Sequence, residues 1–310
     1  MFRAHTSFAL VLTLVGSLMA CGGSEDPPGD QADAGDNPSI DAGNSADWEN
    51  LIESNWTIPA GTETYQCERL TVTEDVWITN FRAATPPGTH HSVLTVGDGG
   101  QPDGATPCDA GTNDDAMIYG AGIDTNPIEL PPGVAMRVRA GQQLLLNLHL
   151  YNVSDAPLSG TSLVEIKRVA QSEVEHEAEV ILMGKVPTLN VPPGESTQVG
   201  TCVMNGDVNL FMVNPHMHQL GTWMKVVAER TGEADLTIHD GLYNFEDQQI
   251  YPIQQVAMKQ GDRVKVHCSY NNMTGSNVTF GDSSDSEMCF ATIYRYPAFG
   301  ASFNIICASD

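Results

Sequence analysis

Residues 143–151 alternate strictly along the chain. Leu144, Leu146, Leu148 and Leu150 fall on one side, and Leu145, Asn147, His149 and Tyr151 on the other. That is the period-2 pattern of a β-strand. Residues 208–218 repeat it, with Leu210, Met212, Asn214, His216 and His218 on one face. Pro215 falls inside that run. Proline has no N–H to give a ladder, so the segment reads as an edge strand or a bulged one. Further strand candidates lie at 76–79, 92–96, 134–138, 163–169, 180–183, 223–228, 263–270 and 289–296. Turn signals separate them, including Pro-Pro-Gly runs that start at Pro86, Pro131 and Pro192. The helical candidate is a short segment after Asp47. Many short strands between frequent turns predict an all-β chain of sandwiches or jelly rolls. Residues 170–177 are polar and carry no strand pattern, which places a junction there. One β-sandwich then spans 48–172 and a second spans 173–310. Gly141-Gln-Gln-Leu leading to Tyr151-Asn152 echoes Gly261-Asp-Arg-Val leading to Tyr270-Asn271, as two similar sandwiches would.

The first residues follow another pattern. Arg3 precedes an apolar stretch over 8–15, so residues 1–20 read as a secretory signal. Leu18-Met19-Ala20-Cys21 resembles a bacterial lipobox, in which cleavage leaves Cys21 as a lipid-bearing N-terminus. Residues 22–50 hold eight acids (Glu25, Asp26, Asp30, Asp33, Asp36, Asp41, Asp47 and Glu49) and no Lys or Arg. Such a segment buries too little apolar surface to offset its ordering entropy. Residues 21–47 are therefore expected to be a disordered acidic tether. The expected location is that of an exported bacterial lipoprotein, membrane-anchored and facing the periplasm or the cell exterior.

Charge removes several partners. The chain has 14 Lys+Arg and 39 Asp+Glu, a net charge of −25. A nucleic-acid binder needs a basic footprint, and so does a protein held on anionic lipid by polybasic patches. The hydrophobic fraction of 41% suffices for a core. Past residue 20 no apolar run reaches the ~18 residues of a membrane span. Membrane contact is thus expected through the lipid anchor only, and the body is read as a monomer.

Setting Cys21 aside leaves six cysteines: Cys67, Cys108, Cys202, Cys268, Cys289 and Cys307. An even number in an exported protein suggests three disulfides, for which the sequence allows 15 pairings. No C-x-x-C pair occurs, which weakens zinc-ribbon and thioredoxin readings. Five histidines stand in suggestive places: His90-His91, His149 and His216-Met217-His218. On a strand, positions i and i+2 share a face, so His216 and His218 can reach one ion. Adjacent His90 and His91 point to opposite faces of a regular strand. They converge only at a strand end or a distortion, which Pro86-Pro87-Gly88 favours. A lone buried histidine such as His149 is more often a hydrogen-bonded core residue than a ligand. His176, His239 and His267 carry no pattern and read as structural or surface residues.

Asn214-Pro-His216-Met-His218-Gln-Leu-Gly221, with Ser283-Ser-Asp-Ser-Glu-Met288-Cys289 downstream, resembles the copper type II, ascorbate-dependent monooxygenases. Thr64-Tyr65-x-Cys67, Thr89-His90-His91, the strand of His149, Val191-Pro-Pro-Gly194 and Gly261-Asp262…Cys268 match in order, so the resemblance covers most of 60–307. The acidic loop departs by one extra residue before Glu287-Met288-Cys289. The resemblance implies two consecutive jelly-roll β-sandwiches with one copper in each, across an open cleft. It implies His90, His91 and His149 as ligands of the first copper. His216, His218 and Met288 would ligate the second and carry catalysis. It also implies the pairings Cys67–Cys108, Cys202–Cys307 and Cys268–Cys289. Imidazole binds both copper oxidation states and a thioether favours Cu(I).

The implied activity is O₂-dependent hydroxylation of a C–H bond in a small molecule or peptide. Two copper ions serve as cofactors, and ascorbate or another reductant as co-substrate. Substrate and O₂ meet at the second copper, and the first supplies an electron. In the peptide-amidating branch of the family, positions matching Asn214, Phe290 and Thr292 hold the substrate carboxylate. Asn214 has no charge and Phe290 cannot donate, so a neutral or aromatic substrate is expected, with Tyr294 and Tyr296 adding aromatic surface. Arg295 is the competing anchor for an acid. Two readings without oxygenase activity stand beside this one. One is a copper-binding or copper-delivery surface lipoprotein, and the other a carbohydrate- or surface-binding module.

Overall fold

The computed structural model describes residues 47–111, 116–186, 188–283, 285–300 and 306–308. The leader, Cys21 and the acidic tether up to residue 46 lie outside the described residues. No helix among the described residues is long and apolar enough to cross a membrane. The described chain is almost wholly β.

The first half forms two sheets. One has the order β1 (Glu49–Ile58), β10 (Leu158–Arg168), β3 (Val76–Ala84), β8 (Val134–Val138) and β11 (His176–Glu177), with β7 (Ile128–Glu129) also on β3. The other has the order β5 (Gly104–Pro107), β2 (Thr62–Thr71), β9 (Gln143–Asn152), β4 (Thr89–Gly97) and β6 (Ala116–Gly122). The second half repeats the scheme. Its first sheet runs β18 (Tyr251–Met258), β15 (Val208–His216), β21 (Phe290–Tyr296), β12 (Glu179–Gly184) and β22 (Ile306–Cys307). Its second runs β14 (Gly194–Val203), β19 (Arg263–Asn272), β16 (Gly221–Glu229) and β17 (Leu236–Leu242), with β13 (Asn190–Val191) pairing β20 (Val278–Thr279) alongside.

The two halves share one strand order. The order β1-β10-β3-β8 corresponds to β12-β21-β15-β18, and β2-β9-β4-β6 to β14-β19-β16-β17. The echo between Gly141 and Gly261 has a structural basis. Both glycines take positive φ (87° and 91°), and each N–H donates across a turn, to Val72 O at 2.7 Å and Met204 O at 2.9 Å. The matching asparagines are Asn152 and Asn272, not Asn271. Asn152 Nδ2 donates to Pro59 O and Ala156 O, and its Oδ1 accepts from Ser154 N and Oγ. Asn272 does the same with Val191 O, Ser276 O and Thr274. Both are 1% exposed. A buried amide with four partners ties a strand end to the facing turn in each half.

The described residues form one compact unit, and the cores explain why. One core fills the first half and extends to Val180, Phe211, Met212, Ile250, Tyr294 and Tyr296 of the second. The other fills the second half with Ile181, Met183, Leu210, Val213, Ala291 and Ile293. Strands β12, β15 and β21 thus alternate between two cores, and all seven residues of β21 are buried. The chain past the junction still serves the first half, because β11 pairs in parallel with β8.

One expectation needs correction, and one pair of alternatives is decided. The segment after Asp47 is not a helix but strand β1, whose buried positions Ile52, Ser54, Trp56 and Ile58 alternate. Strand propensity and the first core outweigh the weak helical signal. Of the two readings of the run that holds Pro215, the bulged strand is the one found: β15 is interior, with a register shift between Leu210 and Met212. Pairing with β18 ends at Val213, so Pro215 keeps a neighbour only on the β21 side. The strand is locally single-sided there, which is what proline requires.

Removing either corner amide strands several buried carbonyls and N–H groups. Asn152→Ala and Asn272→Ala are each expected to cost at least about 2 kcal/mol, read as the shift in urea midpoint of the metal-free protein. A loss within the scatter of an ordinary surface substitution would remove the corners from the account of stability.

Candidate metal centre

The first cluster is built on a β-bulge. Opposite β9, Thr89 pairs with Leu150 and His91 with His149, leaving His90 as the extra residue. A bulge bends its strand and re-aims a side chain, so adjacent His90 and His91 turn toward the same place. Their Nδ1 atoms stand 3.1 Å apart. One nitrogen from each of His90, His91 and His149 lies within 4.8 Å of the others. The bulge has a buried base. Thr89 Oγ1 meets Ser162 Oγ at 2.7 Å, and Ser162 Oγ accepts Trp56 Nε1–H at 2.9 Å.

His149 shows which nitrogen faces inward. Its Nε2 is 2.7 Å from Glu63 Oε1, while its Nδ1 is buried without a partner. An orphaned buried acceptor beside two converging imidazole nitrogens fits a cation bound through Nδ1. Tyr65 stacks on the His149 ring at 4.6 Å with planes 9° apart. Burial, then the carboxylates of Glu63 and Asp282, pushes the Tyr65 hydroxyl pKa up.

The second cluster stands where β15 ends. His216 closes the strand opposite Phe290, and His218 follows it, with the two rings 5.4 Å apart and nearly perpendicular. Here the outward nitrogens are the Nδ1 atoms. His216 Nδ1 donates to Gln248 Oε1 at 2.8 Å and His218 Nδ1 to Ser286 O at 3.0 Å, so each Nε2 is free to ligate. Glu287, 0% exposed, staples the site together. Its carboxylate accepts from the N–H of His218 (3.0 Å), Leu220 (2.7 Å) and Met288 (3.3 Å). Burial pushes this carboxyl up, against the pull of those three N–H groups. Tyr270 Oη donates to Met288 O at 2.7 Å, and the Cys268–Cys289 disulfide adjoins it. Cys67–Cys108 and Cys202–Cys307 complete the set of three, the pairing that the resemblance implies.

Both clusters open on one cavity of about 230 Å³, lined by Tyr65, His91, His216, His218 and Met288 among others. Where the resemblance implies an open cleft, the halves here are joined across it by residues 244–250. Phe245 lies 4.9 Å from His90 and 6.1 Å from His218, ring to ring. Thr125 Oγ1 donates to Gln248 O, Asn126 N–H to Gln249 Oε1, and Gln249 Nε2 to Asp124 O. Burial favours the neutral form of His91, His149, His216 and His218. The pKa of His91 falls well below its ordinary value, through burial and then the imidazoles of both clusters. His216 is pushed down to about 4, mainly by burial and next by His218. His149 and His218 are lowered by burial as well.

Asn214, Phe290 and Thr292 all line the cavity, but Asn214 Nδ2 is already donating to Gln249 O at 2.9 Å. Tyr294 and Tyr296 do not line it. They belong to the core between the halves, Tyr294 beside Phe211 and Tyr296 against His176. The strand runs out of the cavity into the core after Thr292. Arg295 is no anchor either: it is 2% exposed and pairs with Glu179 through Nε and Nη2. Asp282 brings a carboxylate to the wall, and no Lys or Arg is among the described residues that line it. Sequence reasoning missed Glu63, Phe245, Gln248 and Glu287. Glu63 and Tyr65, four and two residues before Cys67, share its strand face, which was legible. Residues 244–250 have no periodicity that marks them.

Residues 176–309 match the family described as copper type II ascorbate-dependent monooxygenase, C-terminal domain. A Homo sapiens protein named "Putative DBH-like monooxygenase protein 2" is 25% identical over 201 residues, 58% of this chain and 40% of that protein. The chain thus spans less than half the length of that relative. A chain from "Structure of infectious bursal disease virus Gt strain" aligns over 84% of this chain and 75% of its own, at 8% identity and a TM-score of 0.20. A score that low carries no argument.

The buried imidazoles set a pH dependence for the metal-free protein. An unfolded histidine titrates near about 6.5, whereas folded His216 titrates at about 4. Between those values the unfolded chain binds more protons, so stability is complete above about 6.5 and declines as pH falls toward 4. Urea midpoints of the metal-free chain should therefore drop between pH 6.5 and 5, above the ordinary carboxylate range. A flat profile there would contradict buried, neutral ligand histidines.

Proposed function

We propose, from the premise that residues 176–309 match the copper type II ascorbate-dependent monooxygenase family, that this chain hydroxylates a C–H bond with O₂ and an external reductant at two copper sites. The observation that carries the reading is the pairing of two neutral donor sets on one cavity. His90, His91 and His149 converge on one side, with an orphaned Nδ1, and His216, His218 and Met288 stand on the other. Three imidazoles would hold one ion, and two imidazoles with a thioether the other. Bound copper supplies one-electron redox chemistry and activation of O₂.

The chain's own residues do the rest. Glu63, Gln248 and the Ser286 carbonyl fix which imidazole nitrogen is free. Glu287 holds His218 and Met288 in register. Phe245, Phe280 and Phe290 keep the space between the clusters apolar and poor in water. Each half is read as a jelly roll, divided near residues 172 and 173. The body is read as a monomer tethered by a lipid on Cys21, outside the cytoplasm.

Two tests follow. The purified body should bind two copper ions per chain by elemental analysis. It should also consume O₂ with ascorbate and add one oxygen to members of a C–H substrate library, read by mass spectrometry. His216→Ala should lower the copper content or weaken one site and abolish turnover. Copper binding without reductant-dependent O₂ uptake would instead favour a copper-delivery lipoprotein. Absence of tight copper would favour a surface-binding module.

The second test concerns substrate charge. A cavity wall with Asp282 and no Lys or Arg offers a carboxylate no ion pair. We therefore read the substrate as neutral or aromatic, with an activated C–H bond. For a glycine-extended peptide and its carboxamide, kcat/KM should show no preference for the free acid. A strong preference would mean that an anchor lies elsewhere.

A further inference from the structure

The two clusters differ in what stands behind their imidazoles. At the first, the partners are carboxylates: Glu63 Oε1 lies 2.7 Å from His149 Nε2, and Glu246 Oε2 lies 3.5 Å from His90 Nε2. At the second, they are neutral oxygens, Gln248 Oε1 at 2.8 Å and the Ser286 carbonyl at 3.0 Å. A carboxylate behind a ligating imidazole fixes its tautomer and raises its basicity. A more basic imidazole favours the higher charge of Cu(II). A thioether, which only the second cluster offers, favours Cu(I).

Glu63 is placed for this role. It sits two residues before Tyr65 on β2, and Tyr65 is the register partner of His149. The strand therefore presents a ring to the face of His149 and a carboxylate to its edge. Glu63 itself remains 46% exposed, so this pair contributes little to holding the fold. We infer that Glu63 is a positioning residue that directs Nδ1 of His149 to the metal and makes the first cluster the more electron-rich of the two. The first site then has the lower reduction potential, and the direction of electron flow between the sites is built into their outward hydrogen bonds. This inference rests on the two-copper reading above.

Glu63→Gln tests it, because glutamine keeps an acceptor oxygen and removes only the charge. Copper affinities are measured with competing chelators separately for Cu(II) and Cu(I). Potentials are measured by redox titration followed through the Cu(II) EPR signal. The full chain is used, and also the His216→Ala chain, in which the first cluster loads alone. Cu(II) affinity at the first site should fall by about tenfold with Cu(I) affinity unchanged. That ratio equals a rise of about 59 mV in a one-electron potential. The second site's potential and the unfolding midpoint should stay put. Glu246→Gln should shift the same potential in the same direction by less. Equal losses for both oxidation states would show that Glu63 only orients the ring, and unchanged affinities that it does neither; each overturns the inference. Failure of the unsubstituted chain to load copper at His90, His91 and His149 is a different outcome, and it overturns the two-copper reading itself.

Discussion

A sheet covered on both faces has no solvent side, and the β15-β21-β12 stretch is built under that constraint. Its inner face packs on the second half's other sheet, and its outer face packs on the first half. Buried polar side chains on it therefore call for partners, and Tyr294 Oη, which has none, is an exception. Arg295 finds Glu179. His216 finds Gln248, and Asn214 finds the Gln249 carbonyl. The cavity opens where the outer face runs out of apolar neighbours, at Asn214, His216, Phe290 and Thr292. The candidate centre is thus the unfilled end of the interface that makes the two halves one body.

Much of this was legible in the chain. Period-2 alternation located β9 and β15, and 289–296 read as a further strand, because most of the buried positions of all three are apolar or aromatic. Strand β14 was missed because Glu195, Ser196, Thr197 and Gln198 pair across an outer sheet with no apolar run to mark them. Strand β2 was missed for the same reason. Adjacent His90 and His91 demanded a distortion, and the bulge supplies it. Tyr294 and Tyr296 show the limit of the argument. They share a strand face with Thr292, yet a face is defined locally, and only the packing of the halves reveals that it passes from cavity to core. The strap over 244–250 was illegible, because its contacts are side-chain amides reaching another part of the chain.

The repeated architecture makes the difference between the halves sharper. The bulge beside Thr89 and His91 has a counterpart between Gly221 and Trp223 on β16. There the histidine positions are filled by Thr222 and Trp223, and the bulge faces outward, with Trp223 Nε1 bonded to Asp240. The second cluster stands instead on the opposite sheet, at the end of β15. One backbone device thus serves a cluster in one half and a surface pair in the other.

The three disulfides each stay within a half: Cys67–Cys108 in the first, Cys202–Cys307 and Cys268–Cys289 in the second. No covalent bond among the described residues, apart from the main chain itself, crosses between them. Oxidation can therefore lock the first sandwich before the second exists, and the second without waiting for the halves to dock. What it cannot do is hide the outer face of β12, β15 and β21. Until the halves dock, Phe211, Met212, Tyr294 and Tyr296 are open to water and to other chains. In an oxidising compartment the hazard for this protein is then a pair of correctly bridged halves that meet the wrong neighbour, rather than mispaired cysteines.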